Sequence, residues 1–211
     1  MTRNDDVYTA LRSASPAELV AFCASCAERA SGVFRLLNGE AENDWFRGAL
    51  DLGWQAASGA DVDNHAAEVL EEAMADLDEE EEDDPSSQEF YSSQVAMLAV
   101  NTLSVYLNPV AQQAEMSGQT VETLFSDFDL TLSGDQAVVT RYGQPPAPPG
   151  ELQRLEQEAQ AEFVRDFVDG TGTAVTPESV QDLRQTSTTL RDQIVGRLRA
   201  VADARGWEAS A

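Results

Sequence analysis

Lysine is absent from this chain of 211 residues, and all 13 of its basic residues are arginine. Basic residues of either kind are also missing from Gly48 to Thr140, a stretch that holds twenty of the 38 acidic residues. The two flanking parts are nearly balanced, so the formal net charge of −25 is concentrated in this acidic block. Such a block repels nucleic acid and anionic membranes, whereas it attracts cations or a basic protein.

Histidine occurs once, at His65 inside the acidic block. Nucleophilic catalysis needs a base near the nucleophile, and histidine is the usual one. His65 is therefore a candidate base, although a lone histidine on a helix is usually a surface residue. The sequence contains no nucleophile elbow, phosphate-binding loop or dinucleotide fingerprint. We therefore predict no catalytic residue, no cofactor and no metal site.

Long apolar runs are also lacking. No stretch approaches the ~18 apolar residues of a membrane-spanning helix, and the N-terminal residues are polar and acidic rather than an apolar leader. We therefore expect a cytoplasmic protein.

Cysteine is limited to Cys23 and Cys26. A C-x-x-C pair can be a redox site or half of a zinc site. Here the pair falls inside a helical pattern, and His65 is the one further soft ligand that a zinc ion would find. The preferred interpretation is two reduced thiols on a buried helical face, without metal.

Helical periodicity dominates what the sequence does contain. Ser15, Pro16 and Glu18 form a capping box with proline at the first helical position, and apolar residues follow at spacings of three and four as far as Leu37. Similar patterns predict helices over about residues 43–57, 62–77, 88–107, 120–128, 151–168 and 176–204. Asn108-Pro109 is expected to break or kink the helix that ends at 107, with helix resuming after it as far as Met116. Residues 88–107 are apolar on nearly every side, which predicts a helix in the middle of a bundle. The predicted fold class is all-α, a single-domain helical bundle of about six to eight helices over residues 1–211.

The core of this bundle is predicted from the apolar stripes. Its expected central members are Phe22, Phe34, Trp54, Leu98 and Leu190. The C-terminal helix carries a seam of apolar residues that suits packing within the bundle or, as the alternative, a homodimer. The expected outer face of that helix carries Arg184, Arg191, Arg197 and Arg199.

Two segments are predicted to be loops. Residues 78–87 begin with seven consecutive acids, whose mutual repulsion favours a solvated acidic loop. Residues 143–150 form a Pro-rich loop with four prolines among five residues, 145–149. Between the two loops, residues 137–140 have the composition of a short strand.

Two motifs resemble the YjaG-like family, a bacterial domain of unknown function. In residues 22–29 an aromatic residue, small residues and cysteines precede a Glu-Arg pair, and residues 46–54 are close to the family's aromatic-Arg-x-x-Leu-Asp-Leu-x-Trp pattern. Weaker matches lie at residues 70–74 and 195–199. The resemblance implies an all-helical fold without an assigned activity.

The most distinctive polar positions of the resemblance fall on Glu28, Arg29, Arg47 and Asp51. We interpret them first as structural. Glu and Arg on neighbouring buried helices can pair and hold the helices in register, and Arg47 can pair locally with Asp51 four residues later. The functional alternative is that the four side chains line one polar cleft.

Composition and resemblance together predict a non-enzymatic helical interaction protein, monomeric or homodimeric, that binds neither nucleic acid nor membrane. The alternative is an acidic inhibitor or immunity-type protein that neutralises a basic partner such as a toxin or a nucleic-acid-binding protein. An enzyme that uses carboxylates and a metal comes third. The candidate surface for a basic partner comprises Glu71, Glu72, Asp76, Asp78, Glu79, Glu80, Glu81, Glu82, Asp83 and Asp84.

Overall fold

The computed structural model describes residues 4–77, 84, 86–134, 148–168 and 174–208, with the backbone alone for residues 74–77. Within these ranges the chain forms one all-helical domain of eight α-helices without a strand. The helices are α1 (Asp5–Leu11), α2 (Pro16–Leu37), α3 (Glu40–Ala57), α4 (Asp63–Leu77), α5 (Gln88–Leu107), α6 (Ala111–Ser133), α7 (Glu151–Phe163) and α8 (Pro177–Arg205). A π-helical turn, Val164–Val168, continues α7. The predicted fold class is confirmed.

The central helix of the bundle is α2, in which every residue from Leu19 to Phe34 is buried. Helices α3, α5, α6 and α8 pack around it, while α4 lies farther out against α5 and α3. Alanine, serine, cysteine and glycine make up much of α2 and let its neighbours approach closely. At Gly32, for example, an added Cβ would lie 3.1 Å from Leu198 Cδ1 of α8.

The helix that we predicted for the middle of the bundle is α5, and this prediction is wrong in part. Its bounds are as predicted, and one side is buried through Val95, Leu98 and Leu103. Ala96 and Met97 on another side are only half-buried. The small residues of α2 favour the central position because they permit tighter helix packing than the larger side chains of α5.

The helix ends follow the capping signals of the sequence. Ser15 Oγ accepts a hydrogen bond from Glu18 N (3.4 Å), and Ser15 N donates one to Glu18 Oε2 (2.6 Å). The N-terminus of α7 is capped across helices, because Leu152 N and Gln153 N donate to the carboxylate of Asp129 from α6 at 3.0 and 2.9 Å. This places an acid of the acidic block at the positive end of a helix dipole.

Several predicted elements need correction. The helix predicted to resume after Asn108-Pro109 and the short helix predicted at 120–128 are one longer helix, α6, which begins at Ala111. The N-terminal segment, judged only polar, forms α1 and buries Val7, Tyr8 and Leu11. The proposed strand at 137–140, most of the acidic loop (78–83 and 85) and residues 143–147 of the Pro-rich loop lie outside the described residues.

Four of the five predicted core residues, all except Leu190, are buried. Leu190 is half-buried, because it lies at an open cleft beside α7. The seam of α8 packs within the bundle against α2, burying Ile194 and Leu198. Arg191, expected on the outer face of α8, is instead buried between α8 and α2.

Among the described helices, none combines the length and the apolar character that crossing a bilayer requires.

Candidate functional site

Two buried ionic clusters lie on different faces of α2. The first is the Glu28 cluster, in which Glu28 Oε1 accepts a hydrogen bond from Arg191 Nη1 at 2.5 Å and Glu28 Oε2 accepts one from Trp54 Nε1 at 3.0 Å. Thr188 Oγ1 donates to Oε1 at 3.3 Å, and Arg184 Nε lies 3.7 Å from Oε2. Glu28 therefore joins α2 to α3 and α8, with donors on both of its oxygens.

The second is the Arg29 cluster. Arg29 Nε and Nη2 donate to Glu156 Oε2 and Oε1 of α7, each at 2.7 Å, in a two-pronged pair that is almost fully buried. Arg29 Nη2 also lies 3.3 Å from Cys26 Sγ. Gln160 Nε2 donates to Glu156 Oε1 at 2.9 Å and to the Gly118 carbonyl of α6 at 3.1 Å. Such a pair adds little net stability over apolar packing, but removing one partner is costly because the other charge stays buried.

The prediction that Glu28 and Arg29 pair with charges on neighbouring helices is confirmed. The alternative of one shared polar cleft is wrong, because adjacent residues of an α-helix point about 100° apart. Glu28 consequently turns toward α3 and α8, whereas Arg29 turns toward α7. Both groups are held by internal partners on neighbouring helices.

The expected local pair between Arg47 and Asp51 is also wrong. Arg47 is exposed and binds Asp44 at 2.5 Å, three residues earlier on α3. Asp51 is instead bound by Arg184 Nη2 of α8, the arginine that also approaches Glu28. Asp51 thus extends the Glu28 cluster to the surface, and Arg47 lies outside it.

Cys23 and Cys26 are free thiols and fully buried on α2, as predicted. Burial raises the pKa of Cys23 to about 12. Burial also raises the pKa of Cys26 well above its usual value, although the nearby Arg29 guanidinium acts in the opposite direction. Both thiols therefore stay protonated at neutral pH, and a protonated, buried thiol is a poor nucleophile.

A buried carboxyl group that the sequence analysis missed lies at Glu122 of α6. Tyr8 OH donates to Oε1, and Gln157 Nε2 donates to Oε2 at 2.7 Å. Burial raises the pKa of Glu122, and the nearby Glu156 carboxylate adds to the rise, whereas the bonds from Gln157 and Tyr8 oppose it. The sequence did hold a signal for this buried carboxyl group, because Glu122 shares one helical stripe with Val121 and Phe125. A Glu within a buried stripe needs hydrogen-bond partners.

A second missed feature is the cluster around Arg205 at the end of α8. Its Nη2 donates to Asp127 Oδ2 at 2.5 Å and to Thr131 Oγ1 at 2.7 Å. Its guanidinium lies 4.7 Å from the ring centroid of Tyr91 and 4.9 Å from that of Trp207. Arginine stacks on aromatic rings in this way, and Arg205 thereby neutralises an acid of the acidic block.

The predicted surface for a basic partner is placed only in part. Glu71 and Glu72 are exposed on α4, and Asp84 is exposed before α5. The side chain of Asp76 and residues 78–83 lie outside the described part. We define the acidic face as the exposed acids of α4, which are Asp63, Glu68, Glu71 and Glu72. Among the described residues, no arginine forms a salt bridge with any of them.

An open groove of about 450 Å³ lies beside this face, between α3, α4 and α5. We call it the α3–α5 groove. Its apolar lining consists of Phe34, Ala41, Trp45, Ala73, Ala96, Met97 and Val100. Two exposed glutamates, Glu42 of α3 and Glu72 of the acidic face, also line it, together with Ser92 and Ser93.

A second cleft, of about 440 Å³, lies between the π-helical turn and α8. Its lining includes Arg29, but the guanidinium of Arg29 is already neutralised by Glu156. The exposed groups at this cleft are mainly acids, among them Glu162, Asp166 and Asp182. Among the described residues that line it, the cleft thus offers no free buried cation for an anionic ligand.

Within the described ranges, no three His, Cys, Asp or Glu side chains are grouped so that they could hold a metal ion. His65, the candidate base, is exposed on α4.

No protein-family model matches this chain, and neither the curated proteins nor the solved structures gave a similar protein. The resemblance to the YjaG-like family therefore stays a prediction.

Proposed function

We propose that this protein is a non-enzymatic helical interaction protein whose binding surface is the acidic face. The observation that carries the proposal is how differently the carboxylates are used. The buried acids Glu28 and Glu156 are each bound by an arginine, whereas the acids of α4 have none among the described residues. Surface carboxylates grouped without counter-charges favour association with a basic protein.

The second candidate is an acidic inhibitor or immunity-type protein that neutralises a basic toxin or nucleic-acid-binding protein. What favours it is the extent of the negative charge, since the acidic face is followed along the chain by the acids 76 and 78–84. An inhibitor of this kind would use charge to speed association, and its rate would fall steeply with ionic strength.

We also propose membership of the YjaG-like family and a cytoplasmic location. The hydrogen bond from Trp54 to Glu28 supports the first, because it joins the two motifs that carry the resemblance. The two free thiols support the second, because cytoplasmic proteins keep their cysteines reduced. Internal packing of the α8 seam favours a monomer over a homodimer.

Capture from an extract of the native host tests the binding surface. The bait is the whole chain, and the variant E68Q/E71Q/E72Q removes three charges from the acidic face. The matched control, E162Q/D182N/D203N, removes three exposed charges from α7 and α8. We expect a basic protein that the control retains, the variant loses and moderate salt releases. Equal capture by all three baits would contradict the proposed surface.

A further inference from the structure

We infer that the α3–α5 groove receives the apolar side of a basic amphipathic helix from the partner protein. This inference rests on the proposed function, and it adds a location and a chemical class of ligand. In this mode of recognition a helix inserts apolar side chains from successive turns into a groove, while its charged residues contact the rim.

The apolar part of the argument comes from α5. Its sequence is apolar on nearly every side, which is typical of a helix covered all round. The bundle buries one side, but Ala96 and Met97 remain half-buried in the groove. Trp45 of α3 is half-buried at the same place. A groove with an aromatic ring and a flexible methionine suits the anchoring side chains of a partner.

The charge argument rests on the acidic residues around the apolar side chains of the groove. Glu42 and Glu72 line the groove itself, and Glu68 and Glu71 lie nearby on the acidic face. Glu42, like the acids of α4, forms no salt bridge within the described part of the chain. Lysine or arginine beside the apolar anchors of the partner would therefore meet unpaired carboxylates. An acidic segment would be repelled by these carboxylates, and a purely polar segment would leave the apolar groove unfilled.

Two labelled synthetic peptides of about four helical turns each serve as probes. One has leucine on one helical face and lysine on the other, and the second replaces each leucine by serine at the same charge. We expect fluorescence anisotropy at about 0.15 M salt to show at least a tenfold tighter Kd for the leucine peptide, or about 1.4 kcal/mol. Its binding should also shift the emission of Trp45, and W45F should remove that shift.

Filling the groove tests the apolar contribution to peptide binding separately from the contribution of charge. The variant A96W places a large side chain among the groove residues, and L107W is the control, because Leu107 is an exposed apolar residue of α5 that does not line the groove. We expect A96W to remove the tenfold preference for leucine and L107W to keep it. Circular dichroism of each variant checks folding. If A96W does not fold, M97S, which shortens the apolar lining, replaces it and should reduce the same preference.

The outcomes separate this inference from the proposed function. If both peptides bind equally, lose affinity in E68Q/E71Q/E72Q and ignore A96W, the groove inference is wrong while the acidic face remains the binding surface. If neither peptide binds, the groove inference and the basic partner are both wrong.

Discussion

Carboxylates have opposite surroundings in two regions of the molecule, the buried clusters beside α2 and the exposed acidic face of α4. In the Glu28 and Arg29 clusters, carboxylates are buried and held by arginines from α8 and α2. On the acidic face, carboxylates are exposed and have no arginine partner among the described residues. Of the eight arginines that form salt bridges in the described part of the chain, five join two helices and none reaches the acidic face, which leaves the acids of α4 available to solvent cations or a partner.

This contrast extends to the acidic block as a whole. Because the block has no lysine or arginine, its balancing charges must come from the arginines of the flanking parts or from solvent cations, and two pairs of the first kind are present among the described residues. Arg184 binds Asp51, and Arg205 binds Asp127, so α8 neutralises acids on α3 and α6. Helix α4 forms no comparable pair with α8 within the described residues. The difference follows from position, because α8 packs against α2, α6 and α3 while α4 lies on the far side of α5.

The largest expected effect comes from the Glu28 cluster. Replacing Trp54 by alanine should lower the free energy of unfolding by about 3–5 kcal/mol, because it leaves a cavity and removes a donor from buried Glu28. Urea denaturation measures the change. The control is Trp45→Ala on the groove side, which should cost well under half as much because Trp45 is only half-buried. Similar losses in the two variants would contradict the difference in burial.

A comparable but somewhat smaller loss is expected from the Arg29 cluster. Replacing Arg29 by methionine should cost about 3 kcal/mol, because Glu156 stays buried without its counter-charge while Gln160 still donates to it. The double variant R29M/E156M should recover most of that loss, since the unpaired charge is gone. Urea denaturation of both variants and of the exposed control R47A tests this. A double variant no more stable than R29M would argue against uncompensated charge as the cause.

An intermediate, pH-dependent effect is expected from Glu122, which faces Tyr8, Gln157 and Glu156. Its pKa is raised in the folded state, so the folded state binds this proton more tightly than the unfolded state. The resulting stabilisation is complete below the unfolded value of about 4.3 and is lost as the pH rises through the folded value. Melting curves from about pH 4 to about pH 8, a range that begins near the unfolded value and extends above it, should show E122Q gaining stability relative to the native chain as pH rises. A constant difference over that interval would rule out this titration.

The smallest expected effect concerns the acidic face. Because its charges repel one another, E71Q/E72Q should raise Tm slightly at about 0.01 M salt and leave it nearly unchanged at about 0.1 M, as the Debye length falls from ~30 to ~10 Å. The matched control is E162Q/D203N. Over the same range the native chain should gain several degrees in Tm, and replacing Glu79–Glu82 by glutamine should reduce that gain. Destabilisation by these glutamines at low salt would indicate specific internal partners instead.

Much of the fold was predictable because its signals are local. The capping box at Ser15 and the break at Asn108 depend on neighbouring residues alone, and both lie where the sequence predicted a boundary. The helix α1 was missed because it is short, and its apolar residues Val7, Tyr8 and Leu11 form too brief a pattern. Leu190 was misjudged because a helical stripe shows which face turns inward but not whether a neighbouring helix covers it.

The sequence identified residues of the candidate site but not the residues to which they bind. Glu28 and Arg29 were singled out correctly as helix-joining charges, yet their partners Arg191 and Glu156 lie more than a hundred residues away in the chain. Arg47 and Asp51 have the spacing of a local pair, but the exposed Arg47 binds Asp44 while Asp51 is close enough to α8 for Arg184. Spacing along one helix cannot reveal a partner that another helix supplies.

The sequence by itself determined the helical class, helix starts such as Pro16 and Gln88, and the confinement of negative charge to one block, because periodicity, capping and charge are properties of neighbouring residues. Only the tertiary structure decided that α2 rather than α5 is central, that Glu28 and Arg29 face different helices, and that the α3–α5 groove opens beside the acidic face. These outcomes depend on how closely whole helices approach one another, and small residues such as Gly32 set that distance through contacts with remote parts of the chain.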